Sequence, residues 1–250
     1  MPDLFVVVIS GAGRGLGNEL AQAYLAQPNS FVVGTIRDDK APGVANLRAA
    51  PKGKGTELLL LKLESSSPAD AMKAVEEMKT RGISHVDLVI ANAGLSPPLA
   101  SLESVDLEEV KGTFSVNAIG PLALYQACFA LLQKSSNAKF VTISNSAGSI
   151  GEMTSNGAFV APAYCISKAA LNWITLAAHC GNTWLTAIAI NPGLVATDMG
   201  NITAKYLGLE RAPITKAQSA EKIIRLVDAA TRDNLSGKFI SAMNRREILW

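Results

Sequence analysis

The stretch LFVVVISGAGRGLG, residues 4–17, passes from an unbroken apolar run into a glycine-rich turn. A short apolar run that ends at turn residues reads as a strand buried on both faces. Gly11, Gly15 and Gly17 let the backbone turn tightly and let a pyrophosphate come close. The free N–H groups at the start of the next helix, predicted over Gly15–Gln27, can then bind that anion. The stretch therefore reads as a nucleotide cradle in a strand-turn-helix unit. Its spacing is G-x-x-x-G-x-G, which differs from the generic dinucleotide fingerprint G-x-G-x-x-G. Glycines also close purely structural turns, so the cradle needs support from the rest of the chain.

Strand and helix alternate from there onward, with no internal repeat and no linker. The predicted strands are Phe5–Ile9, Phe31–Thr35, Glu57–Lys62, Asp87–Ala91, Lys139–Ser144, Leu185–Ile190 and Lys238–Ser241. Such alternation implies an α/β fold: one Rossmann-type doubly wound domain over residues 1–250, with a parallel sheet of about seven strands. Helix starts are marked by Ser67-Pro68, by Asp106 with Glu109 as a capping-box analogue, and by Thr215 with Gln218 as a capping box. An irregular stretch from Met199 to about Pro213 follows the sixth strand.

Composition narrows the partners. The chain has 250 residues, 48% apolar, with a formal net charge of +2. That suits a globular enzyme with a substantial core and gives no basic run for nucleic acid or an acidic membrane. Cys128, Cys165 and Cys180 show neither C-x-x-C spacing nor neighbouring His, which argues against a disulfide framework or a metal site and fits a reducing cytoplasm. Met1-Pro2-Asp3 lacks the basic region of a signal peptide. The apolar stretch Ala158–Cys180 carries Lys168 and Asn172, so it reads as a buried interface helix, not a membrane span.

Further motifs follow the cradle in order. Asn92-Ala93-Gly94 comes after a strand, Asn117 stands four residues before Pro121, Tyr164 and Lys168 form Y-x-x-x-K, and Asn191-Pro192-Gly193 follows another strand. In this order and spacing the chain resembles a classical short-chain dehydrogenase/reductase over nearly its whole length. The stretches FVTISNSAGSI (140–150), AYCISKAAL (163–171) and WLTAIAINPGLVATDMG (184–200) resemble small fungal ketoreductases akin to norsolorinic acid ketoreductase. The resemblance implies reduction of a ketone to an alcohol on a small molecule, in such fungal enzymes an aromatic polyketide of secondary metabolism. It also implies a substrate lid over 199–213 and cofactor contacts at Gly11, Arg14, Gly15, Leu16, Gly17, Asn92, Tyr164, Lys168, Pro192, Gly193, Val195 and Thr197.

Cofactor choice turns on charge near the adenosine ribose. A 2′-phosphate attracts arginine, whereas a free 2′-hydroxyl commonly meets a carboxylate about 20 residues beyond the glycines. Arg37 and Asp38 both stand at that distance, so this position alone leaves the choice open. Arg14 in the glycine loop tips it to NADP, as NADPH in the reductive direction; two solvated surface arginines are the competing reading. Lys62 occupies the place where many relatives carry an aspartate beside the adenine.

Tyr164 and Lys168 lie one helical turn apart and share a face. A phenol titrates near 10, so a nearby ammonium and the charged nicotinamide are expected to lower it and make Tyr164 a serviceable proton donor. By resemblance Lys168 also holds the nicotinamide ribose. Pro121 has no N–H for the carbonyl of Asn117, which opens the helix there; by resemblance Asn117 holds a water that links the lysine to solvent. Relatives carry S-x-x-G after the fifth strand, but counting back from Gly148 gives Asn145. Its amide can donate as a hydroxyl does, it can merely cap a turn, or Ser144 or Ser146 can take over. His85 and His179 stand outside the motifs, while Trp173, Trp184 and Trp250 read as packing residues. Phe159, Val160 and Ala161 are candidates for an apolar substrate wall. A homodimer or homotetramer is expected through 117–133 and 164–178. The competing functions are a cofactor-binding regulator or scaffold without turnover, and a non-redox dehydratase or cyclase on the same fold.

Overall fold

The computed structural model describes residues 4–250. Met1-Pro2-Asp3 lies outside the described residues, as does the side chain of Ala158. The strands are β1 (Phe5–Ile9), β2 (Ser30–Ile36), β3 (Glu57–Lys62), β4 (Leu88–Ala91), β5 (Lys139–Ile143), β6 (Thr186–Asn191) and β7 (Phe239–Ser241). They form one seven-stranded sheet in the order β3-β2-β1-β4-β5-β6-β7, with every neighbouring pair parallel. Each predicted strand is present, displaced by a residue at most at either end.

The helices are α1 (Gly15–Leu25), α2 (Pro42–Ala49), α3 (Pro68–Thr80), α4 (Leu107–Phe114), α5 (Gly120–Leu132), α6 (Met153–Asn156), α7 (Pro162–Gly181), α8 (Asp198–Tyr206) and α9 (Lys216–Asp228). Successive β1 side chains serve opposite layers, because strand side chains alternate. Val6 and Val8 join a core with Ala71, Val75 and Met78 of α3 and Leu124, Cys128 and Leu131 of α5. Val7 and Ile9 join a second core with Leu20 and Tyr24 of α1 and Ile223 and Val227 of α9. Both faces of the sheet are covered, which is why β1 reads as a continuous apolar run and β2 and β5 are buried along their whole length.

Helix starts obey their caps in two cases as expected. Ser67 accepts the Asp70 N–H, and Thr215 and Gln218 form a reciprocal box. Asp106 differs: its carboxylate accepts the N–H of Glu108 at 2.9 Å and caps α4 from one side, with no reciprocal bond from Glu109. The run 107–132 is long and apolar enough to cross a membrane by length and composition, but 61% of its most apolar window is buried inside the molecule. Trp173 does not pack as expected; it is 71% exposed on the outer face of α7. Trp184 packs edge-on against Phe129, and Trp250 stacks on Phe239.

The chain runs outward from β1 to β3 and then returns to place β4 beside β1. This reversal leaves a crevice at the carboxyl ends of β1 and β4, where doubly wound sheets bind their ligands. The ends of β1, β4, β5 and β6 release Ser10, Asn92, Ser144 and Pro192 along that one edge.

Candidate active site

The glycine loop is held from below. Ser10 Oγ accepts the N–H groups of Asn92 and Ala93, each at 3.0 Å, and Asn92 Nδ2 donates to Ser10 O at 2.9 Å. These bonds lock the ends of β1 and β4 together. Asn18 Nδ2 donates to the carbonyls of Ala12 and Gly43 and ties the loop to α2. Gly17 packs so closely on Asn92 and Gly11 that a Cβ would come within 2.3 Å of Asn92 Nδ2. Gly15 has φ +62° and its Cβ position meets only the Thr197 methyl, at 3.6 Å, so this turn keeps room above the start of α1. The Leu16 side chain lies in the core, which leaves only its backbone N–H for a ligand.

Both arginines of the cofactor reading are largely exposed. Arg14 lies 3.8 Å from Asp198 and Arg37 4.0 Å from Glu64. Such exposed pairs are weak and give way to a stronger anion. Asp38, the rival to Arg37, spends its carboxylate on the Lys40 N–H at 2.9 Å. Lys62 ends β3 as an exposed residue. Beyond β6, Pro192 O accepts the Ser219 hydroxyl, Gly193 adopts φ +81°, and Val195 bridges to Ile214. Thr197 caps α8 by accepting the Gly200 N–H at 3.1 Å. Residues 199–213, expected to be irregular, contain most of α8.

On α7, Tyr164 and Lys168 meet as their spacing requires, with Nζ 5.6 Å from the centre of the phenol ring. Lys168 is 4% exposed and donates to Ile143 O at 2.8 Å. Among the described residues this uses one of its three donors. Burial pushes its ammonium down to about 8. The Tyr164 phenol departs from expectation: burial drives it above its ordinary value, and the Asn145 side chain opposes that shift by hydrogen-bonding to it. The desolvation of both side chains outweighs the attraction that their spacing alone suggests.

Asn145 does two things at once. Its Oδ1 accepts the Ala147 N–H at 2.9 Å and caps a 3-10 turn over Ser146–Gly148. That bond fixes which end of the amide is the acceptor and leaves the NH₂ for Tyr164. Ser144 is 1% exposed and donates to Asn172 Oδ1, while Asn172 Nδ2 donates to Gly148 O at 3.2 Å. The Ser144 hydroxyl thus pins the loop to α7 and faces the interior, away from the role expected for a flanking serine. Ser146 begins the 3-10 turn, and its carbonyl accepts from Asn156.

Asn117 is fully buried in a π-helical turn, Ser115–Ile119, where Gly120 N–H reaches Ser115 O. Such a wide turn is how a helix accommodates Pro121. The Asn117 amide accepts from Leu95 N at 2.9 Å and donates to Leu95 O at 2.8 Å and to Ser167 Oγ at 3.0 Å. Gly94 stands between Asn117 Oδ1 and Lys168 Nζ, so both flank one point of the crevice. Sequence reasoning missed Ser167 and Asn172. Their signal was two polar residues on the buried face of α7, at the same helical positions that orient Tyr164 and Lys168.

His85 lies 3.2 Å from Asp87, and His179 contacts Ser236 and Arg232; both partner sets lie outside the motifs. No group of three or more His, Cys, Asp or Glu that could hold a metal occurs among the described residues. Cys128, Cys165 and Cys180 form no disulfide.

The family model described as short chain dehydrogenase matches residues 5–206. Short-chain dehydrogenase srdF of Neurospora crassa is 42% identical, over 99% of this chain and 98% of its own. Norsolorinic acid ketoreductase of Aspergillus parasiticus is 34% identical, over 100% of this chain and 92% of its own. Among solved structures, the NADPH-bound carbonyl reductase from chicken fatty liver superposes with a TM-score of 0.85 at 27% identity, covering 99% of this chain and 94% of that one. With its parallel seven-stranded sheet and the crevice between β1 and β4, the chain belongs to the short-chain dehydrogenase/reductase family and is an oxidoreductase of the nicotinamide-dependent kind.

Proposed function

We propose that the protein is an NADPH-dependent ketoreductase acting on a small apolar ketone, an aromatic polyketide being the substrate class. The observation that carries this reading is the meeting of Tyr164, Lys168 and the Asn145 amide at the carboxyl edge of the sheet. The residues present fit a nicotinamide nucleotide. Lys168 has ammonium donors to spare in a buried site, as ribose hydroxyls require, and the turn at Gly15 leaves space over the first N–H groups of α1. The pyrophosphate would rest on Gly15, Leu16 and Gly17, the 2′-phosphate on Arg14 and Arg37, and the nicotinamide half near Asn92, Pro192, Gly193, Val195 and Thr197.

When bound, NADPH supplies the hydride that adds to the carbonyl carbon. Tyr164 gives its proton to the carbonyl oxygen as negative charge develops there. The Asn145 NH₂ is placed to stabilise the same charge. Lys168 supports the phenolate left behind, and Asn117 holds the Leu95 backbone and the Ser167 hydroxyl around it. The burial that raises the Tyr164 phenol keeps it protonated for donation. Ile150, Met153 and Phe159 are exposed on the connection between Asn145 and Tyr164, which supports an apolar substrate. The norsolorinic acid ketoreductase relatives support the polyketide class. Self-association as a homodimer or homotetramer fits the exposed Ile119, Ile166 and Trp173 beside the site helices.

The test is a panel of aromatic and aliphatic ketones with NADPH, followed by product analysis, for the wild type and Tyr164→Phe. The variant is expected to bind NADPH normally and to lose about 10²–10⁴-fold in turnover. Unchanged turnover would remove Tyr164 from the chemistry, and no turnover by the wild type across the panel would leave a cofactor-binding scaffold.

A further inference from the structure

The connection from Ser146 to Ala161 joins the Asn145 turn to the Tyr164 helix and has little structure of its own. It contains one four-residue helix, α6, and two 3-10 turns, Ser146–Gly148 and Ala158–Val160. A helix that short has no independent stability in water. Its own ties are short-range: Glu152 N donates to Ser149 Oγ, Ser155 Oγ and Asn156 N to Glu152 O, and Asn156 Nδ2 to Ser146 O, while Ala100 N donates to Val160 O from outside. Among the described residues, most of its long-range hydrogen bonds run to the segment Arg246–Trp250.

That segment folds back on β7. Ser241 N donates to Arg246 O and Ile248 N to Phe239 O, Ile248 is buried against Ala189 and Phe239, and the Trp250 ring stacks on Phe239. From this anchorage it grips the connection at three residues within one stretch of four, Ser149, Gly151 and Glu152. Ser149 Oγ donates to Leu249 O, Gly151 N donates to Trp250 O at 2.8 Å, and Leu249 N donates to Glu152 Oε1 at 3.3 Å. Arg246 then closes a two-pronged pair on the Glu152 carboxylate, at 2.6 and 2.9 Å. The Glu152 side chain is only 12% exposed. A planar fork on a largely covered carboxylate fixes direction as well as distance, which a single surface pair does not. Arg246 also holds the Glu152 carboxyl below the usual carboxylate range, so the pair is charged at neutral pH.

We propose that residues 245–250 form a strap that sets the position of the connection 149–160, with Glu152 and Arg246 as positioning residues for bulky substrates. The strap ties the edge of the rigid sheet to the segment that presents Ile150, Met153 and Phe159 beside Asn145 and Tyr164. The role in substrate selection rests on the ketoreductase reading; the mechanical role does not. A small ketone needs only Tyr164 and Asn145, whereas a large aromatic one also needs the apolar wall in place.

Two measurements on Glu152→Ala, Arg246→Ala and the exchanged pair Glu152→Arg/Arg246→Glu test this. Amide hydrogen exchange is expected to accelerate over 149–160 in the single variants while β1 and α7 stay protected, and to recover in the exchanged pair. With a bulky aromatic ketone, kcat/KM is expected to fall about 10- to 100-fold in the single variants, mostly through KM. The NADPH dissociation constant and turnover of a small aliphatic ketone should hold. Arg246→Lys, which keeps the charge and loses the fork, should fall between. Unchanged exchange over 149–160 overturns the strap, and so does loosening that spreads through the sheet with equal loss of NADPH binding. Equal losses for bulky and small ketones overturn the positioning role. If the wild type turns over no ketone but the exchange change is confined to 149–160, the strap stands and the reductase reading falls.

Discussion

At the scale of single residues, Asn145 shows how one side chain satisfies two readings that compete on paper. Asparagine at that position is either a turn cap or a donor. Here Oδ1 caps the Ala147 N–H and thereby turns Nδ2 to Tyr164. Asn145→Ala is therefore expected to lower kcat/KM by about 10²-fold, the size of one lost oxyanion donor, and Asn145→Ser to keep much of the activity. Ser144→Ala is expected to do the opposite. It leaves a buried Asn172 oxygen unpaired and should cost about 1–3 kcal/mol in a urea melt with little effect on kcat/KM. If Ser144→Ala instead proves the larger catalytic loss, the donor role passes to that serine. The residue types and spacing of Tyr164, Lys168 and Asn117 were legible in the sequence; which neighbouring serine faced inward was not, because Asn172 lies 28 positions from Ser144.

At the scale of elements, the glycine loop and the end of β2 act together. Ala12 N donates to Thr35 O at 2.9 Å, so Arg14 and Arg37 extend from joined segments. Their present carboxylate neighbours are exposed and weakly held, and Asp38 is occupied by its own turn. Arg14→Ala/Arg37→Ala is expected to raise the NADPH dissociation constant by at least about 10-fold, consistent with charge-assisted bonds of about 1.5–3 kcal/mol each, and to leave that for NADH nearly unchanged. Parallel titrations check this; equal weakening would detach both arginines from the phosphate. Helix α7 carries the same lesson in its interior. Its apolar pattern predicts burial, and Ile166 and Trp173 break it by facing outward. Trp173→Glu is expected to shift the protein to smaller species in light scattering, and an unchanged mass would place self-association elsewhere.

At the scale of the whole molecule, the site is built against folding stability. Burial pushes the Lys168 ammonium down to about 8, against about 10.4 for a free lysine. Between those values the unfolded chain binds more protons than the folded one, so stability rises with pH over that window. Below about 8 the full cost of the buried ammonium is present, on the order of 3 kcal/mol. Without nucleotide, Lys168→Met is expected to be more stable than the wild type at pH 7, with the difference shrinking by pH 9.5 in denaturant titrations. A constant difference would mean that the buried ammonium is not strained. The Tyr164 phenol works the other way, its stabilisation being lost only above about pH 10, outside that range.

The sequence by itself determined the sheet, because strands buried on both faces must be largely apolar, and turns must be glycine or proline where the backbone demands it. It also carried the resemblance that names the reaction class, since the glycine cradle, Asn117 and the Tyr164–Lys168 pair follow one another in order and each motif spans only a few residues. Tertiary structure alone decided the electrostatics and the fine assignment of the site. Burial raised the phenol that its neighbouring ammonium was expected to lower, because desolvation depends on everything packed around a group and not on its nearest charge. The same holds for Glu152 and Arg246, which lie 94 positions apart and pair only because β7 brings the end of the chain back against the connection after Asn145.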